Sequence, residues 1–126
     1  MGTVKKITGY KNYISVVGGM TDNPRYALYG SKYTVLLANR MDEKCDFDCD
    51  VVGRCCESGD IVQPSVSMPE PVRGDIIAVC TTGAYNYSMA SNYNRIPRPV
   101  IVMLSGGNDY VAVKRESFED IIRNDV

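Results

Sequence analysis

The sequence predicts an all-β domain, a sandwich or barrel with a few short helices. Three observations carry that expectation. Its β-branched and aromatic stretches are short, and Gly, Pro, Asn and Asp separate them. Several strand-like segments of this kind, with turn residues between them, are the pattern of sandwiches and barrels rather than of βαβ units. Segments with helical spacing are few, and the best of them lies at the C-terminal end.

Taken in order, Tyr13 to Val17 reads as a strand closed by Gly18-Gly19, and Tyr33 to Leu37 as a second. Asp50 to Cys55 makes a third. Asp75 to Cys80 is almost continuously apolar in its middle, which predicts a buried strand. Val100 to Leu104 and Tyr110 to Lys114 flank Ser105-Gly106-Gly107-Asn108-Asp109, a β-hairpin with a glycine-rich loop. Asp22-Asn23-Pro24-Arg25 is a helix start, because Asp or Asn caps free amides and Pro fits a first turn. One or two turns over Tyr26 to Tyr29 then end at Gly30. In the tail, Ser117 and Asp120 have the spacing of a capping pair, and Phe118, Ile121 and Ile122 share one helical face.

With 126 residues, one domain is expected. The formal net charge is -1, so no basic footprint points to nucleic acid, and no apolar run is long enough to span a membrane. The N-terminus lacks the apolar stretch of a signal peptide, so a cytoplasmic location is the default. There are five cysteines and no export signal, which argues against a disulfide framework. Histidine is absent, which removes the commonest general base and the Ser-His-Asp triad together. Chemistry here must use Cys, Tyr, Glu, Asp, Lys or Arg.

Three segments could carry such chemistry, and each also has a bland reading. Arg54-Cys55-Cys56-Glu57-Ser58-Gly59-Asp60 ends a strand in two thiols followed by carboxylates. A tuned thiol can donate a proton and a Glu can bind an ammonium group, but buried thiols at a strand end beside a polar turn would look the same. Thr81-Thr82-Gly83-Ala84-Tyr85 follows a strand; its glycine would let backbone amides approach a phosphate that a Tyr hydroxyl also reaches, or it is only a bend. Arg25 and Tyr29, four apart on a helical turn, could grip a carboxylate, or could be a solvated Arg beside a half-buried Tyr. Cys45 and Cys49 near Cys55-Cys56 invite a zinc reading, but adjacent cysteines make a poor second ligand pair, and no metal site is assigned.

Together, Val17-Gly18-Gly19-Met20-Thr21-Asp22-Asn23-Pro24-Arg25, Tyr29-Gly30, Cys55-Cys56-Glu57-Ser58-Gly59-Asp60 and Thr82-Gly83-Ala84-Tyr85 resemble the diaminopimelate decarboxylase family, in the same order. Tyr87 to Asn94 and Arg115 to Ile122 also fit, so the likeness covers nearly the whole chain. The resemblance implies that residues 1–126 form a Greek-key C-terminal β-domain like that of alanine racemase. An N-terminal (β/α)8 barrel would carry pyridoxal 5'-phosphate on a lysine that this chain lacks. It further implies a homodimer with active sites shared between subunits, and decarboxylation of meso-2,6-diaminopimelate to L-lysine. Residue by residue, Arg25 and Tyr29 match groups that hold the distal carboxylate of the substrate, and Glu57 matches the reader of the distal ammonium. Cys56 matches the proton donor, and Tyr85 a tyrosine that touches cofactor phosphate and substrate. Cys56 and Glu57 would serve the partner subunit's cofactor, and the domain alone would be inactive. Two positions depart from the family: Val17 stands where Asp is usual, and Tyr26 where Pro is common.

Two other readings compete. One is another fold III decarboxylase, acting on ornithine, arginine or carboxynorspermidine. The other is a β-sandwich interaction module without catalysis.

Overall fold

The computed structural model describes residues 11–126 and the backbone of a short strand at Val4–Lys5. Eight strands and three short helices follow in the order β1 (Val4–Lys5), β2 (Tyr13–Ser15), α1 (Arg25–Tyr29), β3 (Val35–Leu37), β4 (Phe47–Val52), β5 (Ile61–Met68), β6 (Ile77–Val79), α2 (Asn86–Met89), β7 (Ile101–Ser105), β8 (Asn108–Val113) and α3 (Phe118–Ile122), with a 3-10 turn at Tyr93–Arg95 between α2 and β7. The all-β expectation therefore holds. Among the described residues the strands form a four-stranded sheet, β1-β2-β4-β5, and two two-stranded sheets, β3-β6 and β7-β8. In the large sheet β2 runs parallel to β4, and the other pairs are antiparallel.

The core lies between the large sheet and β3. Ile14, Leu37, Val51 and Met68 are fully buried, with Phe47 and Val66 beside them. Strand β4 alternates at its start: Phe47 and Cys49 point inward while Asp48 stays in solvent. The alternation then breaks, because the register with β5 shifts between Cys49 and Val51. At this irregularity β5 carries Pro64, which has no N–H for the ladder, and Ser65, whose φ is +53°. The buried Asp50 carboxylate holds the distortion: it accepts the Ser65 amide at 2.8 Å and the Lys11 ammonium at 3.0 Å.

Several expectations need correction. The longest strand, β5, went unread because Gln63, Pro64, Ser65 and Ser67 interrupt its apolar pattern. Strand β4 starts three residues before Asp50 and ends at Val52, so the cysteine segment lies wholly in a loop. Strands β2 and β3 are shorter than Tyr13–Val17 and Tyr33–Leu37. The predicted buried strand Asp75–Cys80 reduces to Ile77–Val79 and is only half-buried, because it pairs with β3 alone and borders an open cavity. The hairpin turn is two residues, not five: Gly106 and Gly107 both have positive φ, as a twist-compatible two-residue turn requires.

The helix readings survive. Pro24 precedes α1, Asn23 Oδ1 accepts the Arg25 amide at 3.2 Å, and Gly30 ends the helix in a left-handed conformation. Ser117 and Asp120 form a reciprocal capping box on α3.

Candidate active site

Helix α1 sets Arg25 and Tyr29 one turn apart, and Tyr85 reaches the same place from the loop after β6. The Arg25 guanidinium carbon lies 5.5 Å from the Tyr29 ring centre and 5.5 Å from that of Tyr85. Two aromatic faces at this distance steady a cation without consuming its N–H donors. Arg25 also lines an open cleft of about 420 Å³ with Ser31, Lys32, Tyr33, Thr81 and Tyr85. The lining holds two cationic side chains and four hydroxyl-bearing residues and no carboxylate, so the cleft suits an anion. Lys32 has no telling neighbour in the sequence, and Thr81 stands there only as the start of the segment that carries Tyr85; the fold brings both to the cleft.

The loop that carries Tyr85 is strained. Thr81 and Tyr85 have φ of +60° and +70°, while the predicted special position, Gly83, has open space where a Cβ would stand and no positive φ. Left-handed backbone at ordinary residues costs on the order of 1 kcal/mol each and marks places where the surroundings dictate geometry. The result is an exposed Tyr85 ring; among the described residues its hydroxyl has no hydrogen-bond partner.

Cys56 and Glu57 stand elsewhere, on the loop between β4 and β5. Both are exposed. Among the described residues no hydrogen bond or ion pair links them to Arg25, Tyr29 or Tyr85. The Glu57 carboxylate is held toward the loop by the Gly59 amide at 3.0 Å and the Ser58 hydroxyl at 3.3 Å. The two neighbouring thiols differ. Burial and the Asp60 carboxylate push the Cys55 thiol up, whereas Cys56 faces solvent. A ligand arriving from outside the chain meets Cys56.

Asp60 organises this region, a role the sequence did not disclose. Its buried carboxylate accepts the Met20 amide at 2.6 Å and the Cys55 amide at 2.7 Å, joining the turn before α1 to the cysteine loop. A Cβ on Gly53 would come within 2.1 Å of that carboxylate, and one on Gly19 within 2.7 Å. The glycines are there for this close approach. In the same turn Asp22 accepts the Gly19 amide at 3.1 Å, and burial pushes its carboxyl above the usual range. Val17 is an exposed apolar side chain on the rim of a second cavity.

That cavity, about 1060 Å³, separates β6 from β7 and is lined mainly by apolar groups such as Val16, Ile77, Val79, Ile101 and Met103. The amide side chains of Asn23 and Asn86 border it, both with buried atoms lacking a partner. Cys45 and Cys49 do not converge on Cys55 and Cys56: Cys45 is exposed, and Cys49 is buried, its thiol pushed up to about 12 by loss of water contact. Among the described residues no group of three or more Cys, Asp and Glu is arranged to hold a metal ion.

Comparison with known proteins shows the family of the fold. A family described as the pyridoxal-dependent decarboxylase C-terminal sheet domain matches residues 3–83. Diaminopimelate decarboxylase of Bacillus subtilis (strain 168) is 48% identical over 126 residues, which is 100% of this chain and 29% of that protein. The crystal structure of diaminopimelate decarboxylase from Helicobacter pylori complexed with L-lysine superposes with a TM-score of 0.85 at 36% identity, covering 96% of this chain and 29% of that one. A diaminopimelate decarboxylase structure from M. jannaschii gives a TM-score of 0.90 at 27% identity, over 98% of this chain and 28% of that one. The chain thus spans under a third of the length of these relatives. On the match to residues 3–83, the chain belongs to the family of pyridoxal-dependent decarboxylase C-terminal sheet domains.

Proposed function

We propose that this chain serves as the C-terminal domain of a pyridoxal-phosphate-dependent decarboxylase that converts meso-2,6-diaminopimelate to L-lysine and carbon dioxide. The observation that carries the reading is Arg25, set between two tyrosine rings over a cleft without carboxylates. A substrate that keeps a carboxylate at its unreacting end gives that guanidinium a partner. Ornithine and arginine do not.

The residues present fit the rim of a cofactor site rather than its interior. Tyr85 offers an exposed hydroxyl to a phosphate, but the open cleft gives the cofactor ring no enclosure, and the covalent lysine must come from a barrel outside this chain. When bound, pyridoxal phosphate supplies the electron sink for loss of carbon dioxide. This chain's groups do the rest. Arg25 and Tyr29 fix the distal carboxylate, Glu57 pairs with the distal ammonium, and Cys56 gives its thiol proton to the substrate carbon that has lost carbon dioxide, leaving a thiolate. Cys56 and Glu57 lie on a loop apart from the Arg25 cleft, and we assign them to the site of a second subunit in a homodimer. Five free thiols suit a reducing compartment, so the cytoplasm is the assigned location.

The test is a substrate panel on the full-length decarboxylase carrying this domain. Diaminopimelate should be turned over at least about 100-fold more efficiently than ornithine, arginine or carboxynorspermidine, the range expected when a site built around a charge pair meets a substrate lacking one partner. Equal efficiency across the panel would reject the assignment. In the same enzyme Cys56→Ala should lower kcat far more than it raises KM.

A further inference from the structure

We infer that Asn94 is a positioning residue for Cys56, holding the proton-donor loop from the turn between α2 and β7; this rests on the reading of Cys56 given above. The loop is tied to itself at several points: Glu57 N–H to Cys55 O at 2.8 Å, Asp60 N–H to Glu57 O at 3.1 Å, and Cys55 N–H to the Asp60 carboxylate. The Cys56 amide instead leaves the loop and donates to Asn94 Oδ1 at 2.7 Å, 38 residues further on. The backbone of the residue that bears the thiol is therefore fixed by a side chain from the turn between α2 and β7.

That turn is built at a cost. Asn94 has φ +55° and ψ +25°, and Arg95 follows with φ +56°, two consecutive left-handed residues of which neither is glycine. The Arg95 amide bonded to Asn92 O at 2.8 Å and the Arg95–Asp125 ion pair at 2.9 Å hold the shape. If only the turn mattered, glycine would be the relaxed residue at 94. Asparagine tolerates this backbone and adds a carbonyl oxygen, which is the atom bound to Cys56. Strain of this kind, next to a group whose reach must be set within about 1 Å, is the mark of a preorganised site.

The experiment uses the full-length decarboxylase. Asn94→Gly keeps the left-handed turn and deletes the acceptor. It should lower kcat about 10- to 100-fold with KM changed less than about threefold. Asn94→Asp keeps an acceptor and should restore most of the turnover, while its charge moves the Cys56 limb of the pH–kcat profile to higher pH. Combined with Cys56→Ala, Asn94→Gly should add nothing further, since both act through one thiol. Parental kcat in Asn94→Gly beside a crippled Cys56→Ala would overturn the role of Asn94 alone, as would effects that multiply in the double variant. Parental kcat in Cys56→Ala would overturn the proton-donor reading and this role with it. Should Asn94→Gly melt below the assay temperature, Asn94→Asp decides: an unmoved pH limb overturns the contact.

Discussion

Asp60 shows how much one buried carboxylate can organise. It accepts two backbone amides from segments 40 and 5 residues away, and two glycines make room for it. Gly53→Ala would force a methyl group into the carboxylate, so we expect a loss of about 2–3 kcal/mol, the range of an overpacked site, measured by urea denaturation. A loss under about 0.5 kcal/mol would show that the loop yields. Asp75 is one source of pH dependence, beside Glu43, Glu116 and Asp120, whose carboxyls are also held below their ordinary values. The Val72 amide, Asn39 and Arg40 hold the Asp75 carboxyl below the ordinary 3.8. A depressed acid stabilises the fold above its unfolded pKa, and that share is lost as pH falls through the folded value. Stability should therefore decline below about pH 4. Asp75→Asn should flatten that decline, and an unchanged slope would contradict the assignment.

Among the elements, β5 is the instructive failure. Sequence patterning finds strands by alternation or by unbroken apolar runs, and Pro64 with Ser65 destroys both. What makes the strand possible is remote: Asp50, on the neighbouring strand, takes the Ser65 amide that the bulge leaves out of the ladder. Asp50→Ala should cost about 2 kcal/mol by leaving that donor without a partner. The short helices were legible because their signals are local, as with Ser117, Asp120 and Gly30. The candidate site divides along the same line. Arg25 and Tyr29 share a helix turn and could be paired from spacing. Asp60 reaches Met20 across 40 residues and Asn94 reaches Cys56 across 38, and no local pattern marks these pairings.

For the whole molecule, the exposed apolar surface is the dominant feature. Leu104, Met103, Val102 and Val111 of the β7-β8 hairpin face solvent, beside the apolar cavity between β6 and β7. A monomer rarely leaves so much apolar area open, and the barrel and partner subunit of the proposed enzyme would cover it. No helix of the described residues is long and apolar enough to cross a membrane. Isolated, the chain should self-associate. It should also fail to form a strong Schiff-base absorbance with pyridoxal phosphate, because in the proposed enzyme the covalent lysine belongs to the barrel; a strong, stoichiometric band would contradict the division of labour between domain and barrel.

The central claim, that Arg25 reads a distal carboxylate, has a direct test in the full-length enzyme. The measurement is the ratio of kcat/KM for diaminopimelate to that for ornithine, which has no distal carboxylate, in parent and Arg25→Met. The ratio should fall about 100- to 1000-fold in the variant, the equivalent of about 3–4 kcal/mol, with the value for ornithine nearly unchanged. A ratio that stays at the parental level, or falls only because ornithine turnover changes, would show that Arg25 does not recognise the substrate.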